Sequence, residues 1–247
     1  MTSVVVTGAT GQLGAPTVTA LRAAGHEVRA MSRTAGPGLT TADLLTGRGV
    51  PAALRGAEVV VHLATTNGSA DISMAQRLTA AVRSAGIGHL VLISIVGIDA
   101  TPLRFYRDRV RIETVLTASG VPFTLQRATQ FHPLVARLFA AQRFLPVLVA
   151  PSIRLQPIAV EDVAGRLTEL AGLDPQGRVE DIGGPEQRTA RDFARIWQRA
   201  SCGRRPVVPL RLPGRLFAAY DAGANLVPGT PYGRQTFASY LAGRPGP

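Results

Sequence analysis

The sequence predicts an α/β fold, a parallel sheet wound on both faces by helices. Three observations lead there. Runs of Val, Ile and Leu recur at Ser3–Thr7, Glu58–Leu63 and His89–Ile95, continuous rather than alternating with polar residues, as in strands covered on both faces. Helical patterns separate these runs, which is the order of a doubly wound sheet. A glycine-rich turn joins the first strand to the first helix. The chain of 247 residues is 46% hydrophobic and 17% charged, enough apolar material for a full core.

In chain order, SVVVT at Ser3–Thr7 is the first strand, followed by a helix from Gln12 to Ala24 with Pro16 in its first turn, where a missing N–H costs little. Glu27–Ser32 is the second strand. A loose Gly/Pro/Thr segment after it has room for a short third. Glu58–Leu63 precedes a helix from Ile72 to Ala85, and His89–Ile95 precedes one from Phe105 to Ser119. Pro122–Arg127 closes the alternation. Beyond residue 127 the segments shorten and prolines accumulate. The sequence therefore divides into a core part, 1–127, and a smaller, partly helical substrate-side part, 128–247, within one domain. Leu212–Leu241, with Phe217, Tyr220, Tyr232, Phe237 and Tyr240, is expected to form a packed helical cap.

All 27 basic residues are arginine, against 16 acids, for a net charge of +11. Without lysine, no Schiff base, P-loop lysine or Tyr–Lys relay is available. From Pro185 onward ten arginines face three acids (Glu186, Asp192 and Asp221). No basic run is interleaved with aromatics, so solvated faces are expected and nucleic acid is not. The longest apolar stretch, Phe144 to Pro151, falls far short of the ~18 residues of a membrane span. No membrane partner is expected. With Cys202 as the one cysteine, a disulfide within the chain and a cysteine metal cluster are excluded. A cytoplasmic chain, open to homo-oligomerisation, is the expectation.

The strongest motif is Thr7-Gly8-Ala9-Thr10-Gly11-Gln12-Leu13-Gly14, which leaves a strand and opens a helix. Gly8 allows the tight turn, Gly11 the approach of a pyrophosphate, and Gly14 close packing of helix on sheet. The N–H groups of that helix end favour phosphate. The second strand ends in Ser32-Arg33, where a site for NAD would carry an acid for the ribose 2′-hydroxyl. A guanidinium there suits a 2′-phosphate, so NADPH is expected over NADH.

The spacing Gly8-x-x-Gly11-x-x-Gly14, His62-Leu63-Ala64 ending a strand and Ser94 ending the next resemble the short-chain dehydrogenase/reductase superfamily. The stretches VVVTGATGQLG, HEVRAMSR, HLVLISIVGID, FTLQRATQFH, VEDVA and IGGPEQRT, in that order, resemble its atypical, NmrA-like NAD(P)H-binding branch. The resemblance implies a Rossmann fold with a cleft at the C-terminal strand ends. It also implies an adenine contact at Asp43-Leu44, Ala64 and Thr65 beside the adenosine half, and Ser94 beside the nicotinamide. The family's Tyr-x-x-x-Lys is altered. Its tyrosine position is Phe105 and its lysine position Arg109, which the resemblance leaves able to hold ribose hydroxyls.

Phenylalanine has no proton to give, and loss of a general acid costs ~10²–10⁴ in rate. Tyr106 lies about 100° further round the helix and should miss the face of Phe105 and Arg109; packing between helix and sheet is its other role. Ser94 is either a carbonyl-polarising hydroxyl or a small strand-end residue. His132 is either a proton source or, with Gln130, a partner for loop backbone. Glu161-Asp162 should cap a helix, and His26 and His89 have no evident partner. The expected function is NADPH-dependent reduction of a small, largely apolar organic substrate, quinone-like or a conjugated carbonyl compound, with Ser94 and Arg109 orienting it. A non-redox enzyme (isomerase, cyclase or dehydratase) and a non-catalytic NADP(H) sensor are the alternatives.

Overall fold

The buried valines of Ser3–Thr7 (β1) and Val59–His62 (β4) pair side by side, Val4–Thr7 against Val59–His62, at the centre of a parallel sheet. The structure, a computed structural model, describes residues 1–243. Between these strands run Gly14–Ala23 (α1), Glu27–Ser32 (β2), Leu39–Thr41 (β3) and Val50–Leu54 (α2). Ala70–Ser84 (α3), His89–Ile95 (β5), Arg104–Thr117 (α4) and Phe123–Ala128 (β6) follow. Then come His132–Ala140 (α5), Leu148–Pro151 (β7), Arg154–Leu155 (β8), Val160–Ala171 (α6) and Gly177–Arg178 (β9). Arg188–Thr189 (β10), Ala190–Ala200 (α7), Val207–Leu210 (β11), Arg215–Asp221 (α8) and Phe237–Ala242 (α9) complete the order.

The main sheet runs β3-β2-β1-β4-β5-β6-β9. Strand order reverses between β1 and β4, the place where doubly wound sheets open a crevice at their C-terminal edge. Two compact units interleave along the chain. Met1–Ser94, Arg104–Arg127 and Val163–Glu180 form the first; Ile95–Leu103, Ala128–Asp162 and the chain from Asp181 onward form the second.

In the first unit, α3 lays Met74, Ala75, Leu78 and Val82 on the sheet. Helix α4 contributes Ile112 and Leu116, with Glu113 between them. Glu113 receives two hydrogen bonds from Arg127 of β6, at 2.9 Å from Nε and 2.6 Å from Nη2. This bidentate geometry makes a buried ion pair tolerable. His89 is not partnerless as expected: Nε2 lies 2.8 Å from Thr124 Oγ1 on β6, a partner 35 residues away.

In the second unit, α5 and α7 pack Val135, Phe139, Phe193 and Ala194 around β7. The expected C-terminal cap holds only in part. Phe237 of α9 is fully buried, its ring edge-on to Phe193 at 5.4 Å, whereas α8 buries no residue. Asp162 was expected to cap its own helix. Its Oδ2 instead accepts from the backbone N–H groups of Arg234 at 2.8 Å and Gln235 at 3.3 Å. Among the described residues no helix is long and apolar enough to cross a membrane.

Candidate functional site

Three strand ends at the reversal of strand order build one cleft of about 240 Å³. After β1 it is lined by Gly8, Thr10 and Gly11; after β2 by Ser32, Arg33 and Thr34; after β4 by Leu63, Ala64, Thr65 and Thr66. Met31, Ala42, Leu44 and Met74 make its apolar wall.

The turn is possible because two positions lack a side chain. Gly8 has φ +66°, and a Cβ there would stand 2.7 Å from the backbone of Ala64. A Cβ at Gly14 would stand 2.0 Å from the Gly8 carbonyl oxygen. Gly14 is therefore needed for the turn to close on the start of α1, and not only for packing on the sheet. Gln12 lies in that turn and Leu13 is the N-cap of α1; no side chain caps this helix end. Uncapped N–H groups aligned with the helix dipole form an anion site. The empty space around Gly8 and Gly11 thus fits a dinucleotide pyrophosphate.

Thr7 shapes the opposite lip. Its Oγ1 accepts from the N–H groups of Leu63 at 3.1 Å and Ala64 at 3.2 Å. With both lone pairs used, its proton goes to His62 Nδ1, 2.8 Å away. This leaves the His62 ring neutral, with its proton on Nε2. Burial, and next the charge of Arg109, push the His62 pKa down to about 4, against a smaller opposing effect of Asp71.

Unfolded histidine titrates near 6.5, so below that pH the unfolded chain binds a proton that the folded chain refuses. The His62 contribution is complete above pH ~6.5 and lost as pH falls through about 4. It amounts to about 3 kcal/mol. Burial lowers His89 and His132 in the same sense. Urea midpoints are expected to be lower at about pH 5 than at about pH 7.5, on either side of the ordinary histidine value of about 6.5, with a smaller fall in His62→Gln. Equal midpoints at the two pH values would rule this out.

Behind the cleft lies a network that local sequence patterns did not reveal. Asp71, in the first turn of α3 and buried, accepts from Thr65 Oγ1 at 2.5 Å and from both N–H and Oγ1 of Thr66 at 2.6 Å. Arg109 Nη2 donates to Asp71 Oδ2 and Thr65 Oγ1, each at 2.7 Å. Burial by itself would raise the Asp71 carboxyl, but the threonine bonds and the Arg109 charge together hold it below the ordinary carboxylate range. The Phe105 ring lies 5.0 Å from the Arg109 guanidinium carbon, within cation–π distance. Arg109, at the family's lysine position, thus braces the strand-end loop that lines the cleft. One signal in the sequence was available: Asp71 falls on the apolar stripe of α3 with Met74, Leu78 and Val82, where an unpartnered carboxylate would be costly.

The other expected residues are placed as follows. Leu44 lines the cleft, while the Asp43 carboxylate turns to its own loop, accepting from Leu45 N–H at 2.8 Å and Thr46 Oγ1 at 3.0 Å. Ser94 is buried near the end of β5, and its Oγ has no hydrogen-bond partner among the described residues. Tyr106 is half-buried, 5.8 Å from the Phe105 ring. His132 belongs to the second unit and is fully buried, Nε2 lying 2.9 Å from the Gln235 carbonyl and the ring stacked on Tyr240. A carbonyl only accepts, so Nε2 carries the ring proton; burial, first among the causes, lowers the pKa. The neutral ring has no second proton to give.

A family profile described as NAD(P)H-binding matches residues 8–133, half of the chain, including the glycine turn and all of the cleft. The chain belongs to this NAD(P)H-binding family. No curated protein matches the sequence. Among solved structures, the NAD(P)H-binding chain is similar to an NADPH-dependent quinone oxidoreductase from Escherichia coli complexed with NADPH. The identity is 20%, the TM-score 0.80, and 97% of this chain and 98% of that one are covered. A nucleoside-diphosphate-sugar epimerase from Staphylococcus aureus superposes with TM-score 0.77 at 17% identity, covering 97% and 99%. A UDP-N-acetylglucosamine 4-epimerase from Bacillus cereus gives 0.71 at 16%, covering 98% and 95%. The NAD(P)H-binding chain thus has the Rossmann-like α/β fold of these structures.

Proposed function

We propose that the chain is an NADPH-dependent reductase of a small, largely apolar acceptor of quinone-like or conjugated-carbonyl type. The observation that carries the cofactor half is the cleft wall after β2, made of Ser32, Arg33 and Thr34 with no carboxylate among them. Arg33 and Ser32 would hold the 2′-phosphate. The turn from Gly8 through Thr10, Gly11, Gln12 and Leu13 to Gly14 would take the pyrophosphate. Leu44, Ala64 and Thr65 would bound the adenosine, with Asp43 shaping the Leu44 loop. Ser94 Oγ would turn to the acceptor oxygen. Arg109 acts as a positioning residue through Thr65, and Tyr106 as packing.

The bound cofactor supplies hydride. Phe105 cannot protonate an isolated alkoxide, so the reading favours acceptors that spread the incoming charge, with water as the proton source in place of His132. The quinone oxidoreductase neighbour supports it. The epimerase neighbours and the altered Tyr-x-x-x-Lys favour the rival non-redox use of a bound nucleotide.

Titration with NADPH and NADH by cofactor emission and Trp197 quenching tests the cofactor. Arg33→Ala is expected to weaken NADPH roughly 10–100-fold, the worth of a charged hydrogen bond, and to leave NADH almost unchanged. Equal loss for both cofactors would overturn the assignment. NADPH oxidation with a quinone panel tests the reductase; tight binding without turnover would move the reading to the non-redox enzyme or the sensor.

A further inference from the structure

Ten large apolar side chains are exposed among the described residues, and four of them fall between Leu134 and Leu145: Leu134, Leu138, Phe144 and Leu145. They follow from how α5 is amphipathic. Val135, Ala136 and Phe139 face the second unit's core, which turns Leu134, Arg137 and Leu138 outward one helical turn apart. The turn after α5 carries Arg143, Phe144 and Leu145, all exposed, Phe144 at 83%.

This protrusion is built, not loose. Gln142 Oε1 accepts from Val149 N–H at 2.8 Å, and its Nε2 donates to the Leu138 carbonyl at 3.0 Å and the Val149 carbonyl at 3.1 Å. Arg205 Nη1 donates to the Gln142 carbonyl and to the Leu145 carbonyl at 3.1 Å. Three bonds of the Gln142 side chain and two of the Arg205 guanidinium thus pin the turn, while Phe144 is exposed with the Arg143 guanidinium carbon 4.5 Å over its ring. No Asp or Glu occurs between Glu113 and Glu161, so α5 and the turn after it carry arginines and no acid of their own, in a chain of net charge +11.

We propose that α5 and the turn after it form a seat for the surface of an anionic phospholipid bilayer. Phe144 and Leu145 would enter the boundary between headgroups and acyl chains, with Leu134 and Leu138 along it. Arg137 and Arg143 would meet the phosphates. This is interfacial seating, for which a spanning helix is not required. A second copy of the chain fits less well: a two-fold contact would bring α5 and its following turn onto themselves, arginine against arginine, with no acid on either segment to pair them. The inference stands apart from the reductase reading.

Co-sedimentation of the full chain with mixed phosphatidylcholine–phosphatidylglycerol vesicles, and with pure phosphatidylcholine vesicles, tests it. Binding is expected to the mixed vesicles alone and to weaken as salt rises. The charge-neutral double variant Phe144→Ser/Leu145→Ser is expected to lose about ten-fold or more in partition. Arg137→Gln and Arg143→Gln should each lose about five-fold. All these side chains are exposed, and unchanged thermal midpoints would confirm that the variants fold. The proposal fails if mixed vesicles do not bind the chain. It fails equally if the serine variant binds them as well as the native chain, which would mean net charge alone. Loss of self-association in that variant by analytical ultracentrifugation, with vesicle binding intact, would assign the patch to a second copy.

Discussion

Gly14→Ala is expected to abolish dinucleotide binding, with the dissociation constant for NADPH raised more than about 100-fold. Helix propensity argues the other way, since alanine in α1 is better than glycine by about 1 kcal/mol. Geometry decides. The added Cβ would stand 2.0 Å from the Gly8 carbonyl oxygen and 2.8 Å from its carbon, both backbone atoms that cannot rotate away. Either α1 moves off the sheet or the turn opens, and both misplace the N–H groups at the start of α1. Cofactor-emission titration reads the loss, and circular dichroism reads whether the sheet survives. A variant that binds NADPH normally would show that the turn is not the phosphate site.

Asp71→Ala should be among the most damaging changes in the first unit away from the glycine turn. It leaves the Arg109 guanidinium, whose side chain is only 14% exposed, without its carboxylate, and removes the acceptor shared by Thr65 and Thr66. Breaking a buried pair on one side costs about 3–5 kcal/mol, a large share of a typical domain's stability. Because Thr65 and Thr66 line the cleft, NADPH affinity should fall as well. The pair's net worth is smaller than that loss, so Asp71→Ala/Arg109→Met should recover much of the stability but not the affinity. Urea unfolding of the two variants with NADPH titration checks both halves. A cost below about 1 kcal/mol for Asp71→Ala would mean that Arg109 finds water instead and braces nothing.

Much of the first unit was legible because it is local. Val4–Val6 and Val59–Val61 are unbroken apolar runs, and both are strands buried on two faces. The second strand and the one ending in Ser94-Ile95 were placed to the residue; helix ends moved by one or two, where turns such as residues 10–13 precede regular helix. The Gly8–Gly11–Gly14 spacing located the cleft for the same reason, a turn being a property of a few consecutive residues.

Contacts across long loops were not legible. Asp162 reads locally as a helix cap but serves backbone N–H groups 72 and 73 residues on. Arg109 reads as a cationic ribose clamp, yet its partner lies 38 residues earlier on another helix. Phe144 opens the longest apolar run, and nothing in its neighbours says that Gln142 and Arg205 turn it outward while Leu148 goes inward.

The sequence by itself determined the alternation of the main strands and helices through residue 127, the glycine turn, the absence of lysine, phenylalanine at position 105, and Arg33 at the end of the second strand. Backbone periodicity and residue chemistry carry that information without any partner. Only the tertiary structure decided which charges are neutralised, which hydroxyls find partners, and which apolar side chains stay outside. Those outcomes depend on which distant segments are brought within hydrogen-bond or van der Waals reach, and a one-dimensional pattern does not contain those distances.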